Sequence, residues 1–243
     1  MPVIAVIPAR YDSSRLPGKA LAEIGGVPMI VRVWRQTRRA RSLERVIVAT
    51  DDERIAHAVR AAGGEAEMTA STHQSGTDRI AEVAARIDAE IYLNVQGDQP
   101  FIAPEDLDAL VAPMRAEPAL AMATLATPIT DREEWYNPNK VKVVCDARGD
   151  AIYFSRSPIP FARDGGVPAV ARRHIGVYGY RRDFLLRFAA LEPGVLEQIE
   201  KLEQLRALER GYRIRMVASV APSMEVDTPD DLMRANQAAA VNK

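Results

Sequence analysis

VIAVIPAR (3–10) runs directly into YDSSRLPGKAL (11–21), and this junction decides the fold. Val3 to Ile7 form a continuous apolar run, the pattern of a strand buried on both faces of a parallel sheet. The segment that follows gathers Arg10, Arg15 and Lys19 around Gly18 and a pair of serines. In an open α/β sheet, ligands bind beyond the carboxyl ends of such strands. Backbone N–H groups there, joined by fixed cations, form a cradle for a polyphosphate. Taken alone, the loop also fits a solvated connection that happens to be basic.

Bulk composition narrows the class. A chain of 243 residues, 47% apolar and 27% charged, can bury a full core and reads as an ordinary globular protein. A net charge of −1 leaves no general electrostatic footprint for nucleic acid, so a phosphate site must be local. Cys145 is the single cysteine, which excludes an internal disulfide and fits a reducing compartment. No apolar run approaches the ~18 residues that span a bilayer, and the N-terminus lacks a signal-peptide pattern. The expectation is a cytoplasmic protein with neither nucleic acid nor membrane as partner.

Outward from the first strand, strand and helix patterns alternate. Met29, Ile30, Val33 and Trp34 recur at helical spacing, and RVIVAT (45–50) ends in Asp51 and Asp52. A helix from about Glu53 to Ala62 stops at Gly63 and Gly64, a C-cap signal. A short strand near Ala66 to Thr69 precedes the polar segment STHQSGTDR (71–79), the helix RIAEVAARI (79–87), and the strand EIYLNV (90–95) ending in QGDQP (96–100). Pro104 suits a helix N1 position, with Glu105 and Asp106 in the first turn. This alternation predicts a Rossmann-like, mostly parallel α/β sheet. The middle is richer in strands: Ala121 to Ile129, Lys142 to Cys145, Ala151 to Ser155 and His174 to Tyr180. Ala147 to Asp150 should close a hairpin between two of them, and SPIPFARDGGVP (157–168) should be a mobile loop. One long amphipathic helix is expected from about Val195 to Glu209, then the strand RIRMVASV (213–220), the loop SMEVDTPDD (223–231) and a final helix.

Two carboxylates stand out. Asp98 lies just past a buried strand beside Gly97, which permits close backbone approach by a ligand. A carboxylate there suits Mg²⁺, which often takes one or two carboxylates plus substrate phosphates, although, taken alone, the position is more often that of an ordinary turn aspartate. Asp227 belongs to a helix start in which Asp227 or Thr228 is the N-cap and Pro229 is N1; whether Asp227 also faces the cleft stays open. His174 follows Arg172 and Arg173 and leads into a strand, whereas His57 and His73 carry no assigned role. Walker A and G-x-G-x-x-G patterns are both missing from the sequence.

Taken jointly, ten segments resemble the CMP-Kdo synthetases, the 3-deoxy-manno-octulosonate cytidylyltransferases. They are IPARYDSSRLPGKAL, RVIVATDD, AAGGE, HQSGTDR, LNVQGDQP, NPNKVKVV, YFSRSPIP, RHIGVYGY, LEQLRALE and VDTPDDL, in the family's order along nearly the whole chain. The departures are Ala20 after Pro-Gly-Lys and a short loop between Pro160 and Arg172. The resemblance implies a single cytidylyltransferase domain over 1–243, with a strand-rich subregion at about 121–180 that serves substrate binding and dimerisation. It implies transfer of CMP from CTP to the anomeric hydroxyl of 3-deoxy-D-manno-octulosonate (Kdo), with release of pyrophosphate, for lipopolysaccharide synthesis. Arg10, Arg15 and Lys19 would hold the triphosphate, and Asp98 would act with them in catalysis. Asp98 and Asp227 would bind Mg²⁺. Ser75 to Arg79, with Gln96, would recognise the cytosine, and Pro8, Ala9 and Gly97 would also contact substrate. Arg156, His174, Tyr178, Glu203 and Gln204 would contact Kdo, and the enzyme would be a homodimer. The rivals are a cytidylyltransferase for another 2-keto sugar acid such as sialic acid, and a non-catalytic nucleotide-binding regulator. Sugar-1-phosphate enzymes typically carry a Gly-rich G-x-G-T-R loop where this chain has Ala9-Arg10-Tyr11.

Overall fold

The structure, a computed structural model, describes residues 1–13, 15–221 and 224–241. Ser14 of the basic loop and Ser223 of the expected acidic loop lie outside the described residues. Two compact units emerge: one from Met1–Asp108 plus the C-terminal segment that carries Asp227, the other from the intervening chain beginning at Ala109.

The first unit is built around the opening strand. β1 (Val3–Ala9) lies between β4 (Arg45–Thr50) and β6 (Ile91–Asn94), parallel to both, and β5 (Glu65–Met68) extends the sheet beyond β4. Val3 to Ile7 are all buried, as the uninterrupted apolar run requires. β2 (Glu23–Ile24) and β3 (Val27–Pro28) form a tight hairpin. Gly25 and Gly26 sit at its turn with φ of 60° and 75°, the paired left-handed geometry that glycine adopts most readily. α1 (Met29–Thr37) buries Met29, Ile30, Val33 and Trp34, the four positions read at helical spacing. α2 (Glu53–Ala61) is capped by Asp52, whose carboxylate accepts from the Arg54 N–H at 2.9 Å. α3 (Gly76–Arg86) starts three residues earlier than RIAEVAARI predicts. Ser75 and Asp78 make a capping box there, so part of the segment read as a polar loop is the first turn of a helix. α4 (Pro104–Ala116) begins in this unit and α9 (Pro229–Val241) ends it. Asn236 of α9 accepts from Gly25 N and donates to the Glu23 carbonyl, which ties the last helix to the hairpin.

In the second unit, β7 (Met122–Pro128) runs parallel to β11 (Ile214–Ala218) and antiparallel to β10 (Arg172–Arg181). β8 (Lys142–Cys145) pairs with the start of β10 and forms the expected hairpin with β9 (Ala151–Ser155). The Asp146 carboxylate accepts from the Arg148 and Asp150 N–H groups, and Gly149 takes a φ of 83° to close that turn. Two short helices, α5 (Arg132–Tyr136) and α6 (Arg182–Ala189), have no counterpart in the sequence reading.

The expected single helix from Val195 to Glu209 is corrected to two: α7 (Val195–Glu200) and α8 (Leu205–Glu209). Lys201 caps α7 in the left-handed region, at φ 55°, and turns the chain. The break has a physical cause. In one straight helix Glu197 and Arg206 would lie about 13 Å apart along the axis. Folded back, Arg206 Nε and Nη2 donate to the Glu197 carboxylate at 2.8 and 2.6 Å. The Arg206 side chain is only 9% exposed and also donates to the Phe188 and Leu191 carbonyls. Removing one partner of such a buried pair strands the other charge. Glu197→Ala is therefore expected to lower the unfolding free energy by about 3 kcal/mol in urea titration. A change below about 0.5 kcal/mol would mean that the pair does not hold the two helices together.

Candidate active site

A cleft of about 370 Å³ opens in the first unit at the carboxyl ends of β1 and β6. Eleven of the positions singled out from sequence line it: Pro8, Ala9, Arg10, Arg15, Lys19, Ser75, Arg79, Gln96, Gly97, Asp98 and Asp227. Close backbone packing shapes its floor. A Cβ on Gly97 would meet the Pro8 carbonyl oxygen at 3.0 Å, and one on Gly76 would meet Pro8 Cγ at 3.1 Å. Gly18 turns the basic loop at φ 66°, and Lys19 begins the short 3₁₀ turn that follows.

Lys19 is the centre of the site. Its Nζ donates to Asp98 Oδ2 and to Asp227 Oδ1, each at 2.8 Å. Burial alone would depress this ammonium; the charge of Asp98 and the bonds to both aspartates outweigh it and hold the pKa above the ordinary lysine value. Asp227 also pairs with Arg15 at 3.3 Å, and that arginine is 64% exposed. Arg10 is exposed and makes no ion pair with any described residue. The backbone locks the two acidic loops together, since Val226 N–H donates to the Asp98 carbonyl at 2.9 Å. Thr228 and Asp231 perform the helix-start capping through the Asp231 carboxylate, which leaves the Asp227 side chain for the cleft.

At the other side of the cleft, Arg79 is buried, with its fork on Thr69 Oγ1 at 2.5 Å and Asp51 Oδ2 at 3.0 Å. Gln96 donates to Asn94 Oδ1 at 2.7 Å. His73, which sequence reading left without a role, also lines the cleft, its Nε2 2.5 Å from Glu82. No spacing rule connects His73 with Glu82, because the contact joins the loop after β5 to the middle of α3. Groups of three or more His, Cys, Asp or Glu residues suited to hold a metal are absent among the described residues. Two carboxylates converging on one cation are nevertheless a donor set that Mg²⁺ accepts when substrate phosphates complete the shell. The Lys19 ammonium marks that position for a cation.

In the second unit, the structure gathers three of the five remaining candidates. His174 lies against Tyr178, with ring centroids 5.4 Å apart, and the Tyr178 hydroxyl donates to Gln204 Oε1 at 3.2 Å. Gln204 is 4% exposed, and its Nε2 is a buried donor without a hydrogen-bond partner. Glu203 pairs with Arg206 at 3.8 Å. Arg156 bonds with none of these: its guanidinium donates to the carbonyls of Glu200, Pro138 and Lys201. Of an arginine's five N–H groups, two are left over for a ligand.

The comparisons with known proteins agree along the full length. A cytidylyltransferase family model matches residues 4–214. The 3-deoxy-manno-octulosonate cytidylyltransferase of Syntrophotalea carbinolica is 54% identical over 242 residues, covering 96% of this chain and 97% of its own. The enzyme of the same name from Geobacter metallireducens is 53% identical, covering 96% and 95%. A solved structure of CMP:2-keto-3-deoxy-manno-octonic acid synthetase complexed with CTP superposes with a TM-score of 0.95 at 45% identity, covering 100% of both chains. With this identity sustained from end to end, the chain belongs to the 3-deoxy-manno-octulosonate cytidylyltransferases.

Proposed function

We propose that this chain transfers CMP from CTP to the anomeric hydroxyl of 3-deoxy-D-manno-octulosonate. The anomeric oxygen forms a bond to the α-phosphorus, and the bond from that phosphorus to the bridging oxygen of the β-phosphate breaks. Pyrophosphate leaves and the hydroxyl proton passes to solvent. The product, CMP-Kdo, is the activated sugar for lipopolysaccharide core synthesis. The observation that carries this reading is the convergence of Asp98 and Asp227 on the Lys19 ammonium in a cleft lined by Arg10 and Arg15.

Asp98 and Asp227 would hold Mg²⁺. Bound there, the metal supplies Lewis-acid polarisation of the α-phosphoryl group and makes the attacking hydroxyl more acidic. The chain's own cations do the rest. Arg10 and Arg15 bind the triphosphate, and Lys19 offsets the charge that grows on the leaving pyrophosphate. Ser75, Arg79 and Gln96 read the cytosine, and Pro8, Ala9 and Gly97 also line the substrate site. His174, Tyr178, Glu203 and Gln204 take the sugar hydroxyls, while Arg156 offers its two remaining N–H groups to the carboxylate. We place the enzyme in the cytoplasm as a homodimer that associates through the strand-rich region at 121–180. No described helix is long and apolar enough to cross a membrane.

Pyrophosphate release with CTP, Mg²⁺ and a panel of 2-keto sugar acids tests the reading. Kdo-dependent release is expected, with UTP a poor substitute because the wrong base leaves buried polar groups unpaired. Release driven better by sialic acid, or equal rates with UTP, would overturn it. A second expectation separates binding from catalysis. Lys19→Ala should lower kcat as well as kcat/KM, since the ammonium acts on charge that develops in the transition state. A rise in the KM for CTP with kcat unchanged would assign Lys19 to ground-state binding alone.

A further inference from the structure

Thr124 lies in β7 opposite the point where the register of β10 jumps between Ile175 and Tyr178. It is fully buried, and its hydroxyl has three polar neighbours: the Val177 carbonyl at 2.7 Å, His174 Nε2 at 2.9 Å and the Ile175 carbonyl at 3.2 Å. A hydroxyl carries one proton, and carbonyl oxygens only accept. If that proton pointed at His174, the Thr124 and Val177 oxygens would face each other at 2.7 Å with no hydrogen between them. The proton therefore goes to Val177, and the imidazole must be the donor to Thr124.

The ring is neutral, because burial pushes the pKa of His174 down to about 3. A neutral imidazole has one N–H, so placing it on Nε2 leaves Nδ1 as a bare lone pair. Among the described residues nothing donates to Nδ1. The Phe154 ring meets the imidazole edge-on at 5.0 Å and Tyr178 lies at 5.4 Å, which holds the ring plane. A lone pair at this position accepts from a hydroxyl and repels a carboxylate. A ring protonated on Nδ1 would do the reverse for the carboxylate.

We propose that Thr124 is a positioning residue: it fixes His174 as the Nε2–H tautomer, and Nδ1 then takes a hydroxyl of the sugar acid and turns its carboxylate away. The inference rests on the placement of Kdo beside His174 given above, and it adds the residue that orients the acid. Gln204, whose Oε1 accepts from the neighbouring Tyr178 hydroxyl, has at Nε2 a second buried polar atom without a hydrogen-bond partner.

Nitrogen-15 NMR of the imidazoles in the full chain tests the tautomer without any ligand, and only His57, His73 and His174 need assignment. The wild type should show His174 protonated on Nε2. Thr124→Val, close in volume, should lose that preference and raise the KM for Kdo by about tenfold, the equivalent of one lost hydrogen bond, with the KM for CTP unchanged. Thr124→Ser should retain wild-type behaviour in both measurements. Where the valine variant does not fold, Thr124→Ala carries the same reading. His174 protonated on Nδ1 in the wild type would overturn the proposal outright. A switched tautomer in Thr124→Val with an unchanged KM for Kdo would overturn the orienting role. His174→Ala then locates the failure: a raised KM for Kdo confines it to Thr124, and an unchanged one removes His174 from the sugar site.

Discussion

Two aspartates that would repel one another are held on a single cation, and much of the first unit is arranged to make that possible. Like charges this close cannot both stay ionised without a counter-charge. Lys19 supplies it in the structure, reaching 208 positions along the chain to Asp227 and 79 to Asp98. The left-handed turn at Gly18 sets the start of the 3₁₀ segment from which Lys19 projects. The bond from Val226 N–H to the Asp98 carbonyl fixes the spacing of the two acidic loops, and α9 is moored to the β2–β3 hairpin by Asn236. The C-terminal segment thus contributes Asp227 to the cleft and is not an appendage.

Much of this was legible in the sequence, and the reasons differ by element. β1 could be read because a strand buried on both faces leaves an apolar run with no alternation, and the glycine and cations after it are local. The side chain of Asp227 could not be placed, because helix-start chemistry explains the same residues. Only the geometry shows that Thr228 and Asp231 do the capping. The helix expected over 195–209 failed because periodicity does not register a left-handed lysine. Val195 and Ile199 are exposed, whereas Leu202 and Leu205 are buried, so the apolar positions of the two halves do not share one buried stripe. The Ser75–Asp78 capping box, by contrast, is a local pattern visible in the sequence itself, and it moves the helix start from Arg79 to Gly76.

The second unit uses buried charge as scaffolding. Lys142 has no exposed surface, and its Nζ donates to the carbonyls of Asn137, Lys140 and Arg156. Burial, and then the nearby Arg156, push its pKa below the ordinary lysine value. Arg156 in turn grips the end of α7, and the Glu200 carboxylate accepts from Arg156 N–H and Ser155 Oγ. Breaking such a set strands a buried charge, so the segments flanking the proposed sugar site are held in one arrangement. The same logic explains why Thr124 matters. In a buried polar cluster each proton has one place to go, and a hydroxyl that touches no substrate decides what a neighbouring ring presents.

The central claim is that the place between Asp98 and Asp227 belongs to a divalent cation when nucleotide is bound. Electron paramagnetic resonance of Mn²⁺, used in place of Mg²⁺, measures this directly in the full chain with CTP present. The account predicts one tightly held Mn²⁺ per chain in the presence of CTP, and its loss in both Asp98→Asn and Asp227→Asn with the fold intact by circular dichroism. Wild-type Mn²⁺ binding in either variant would contradict it.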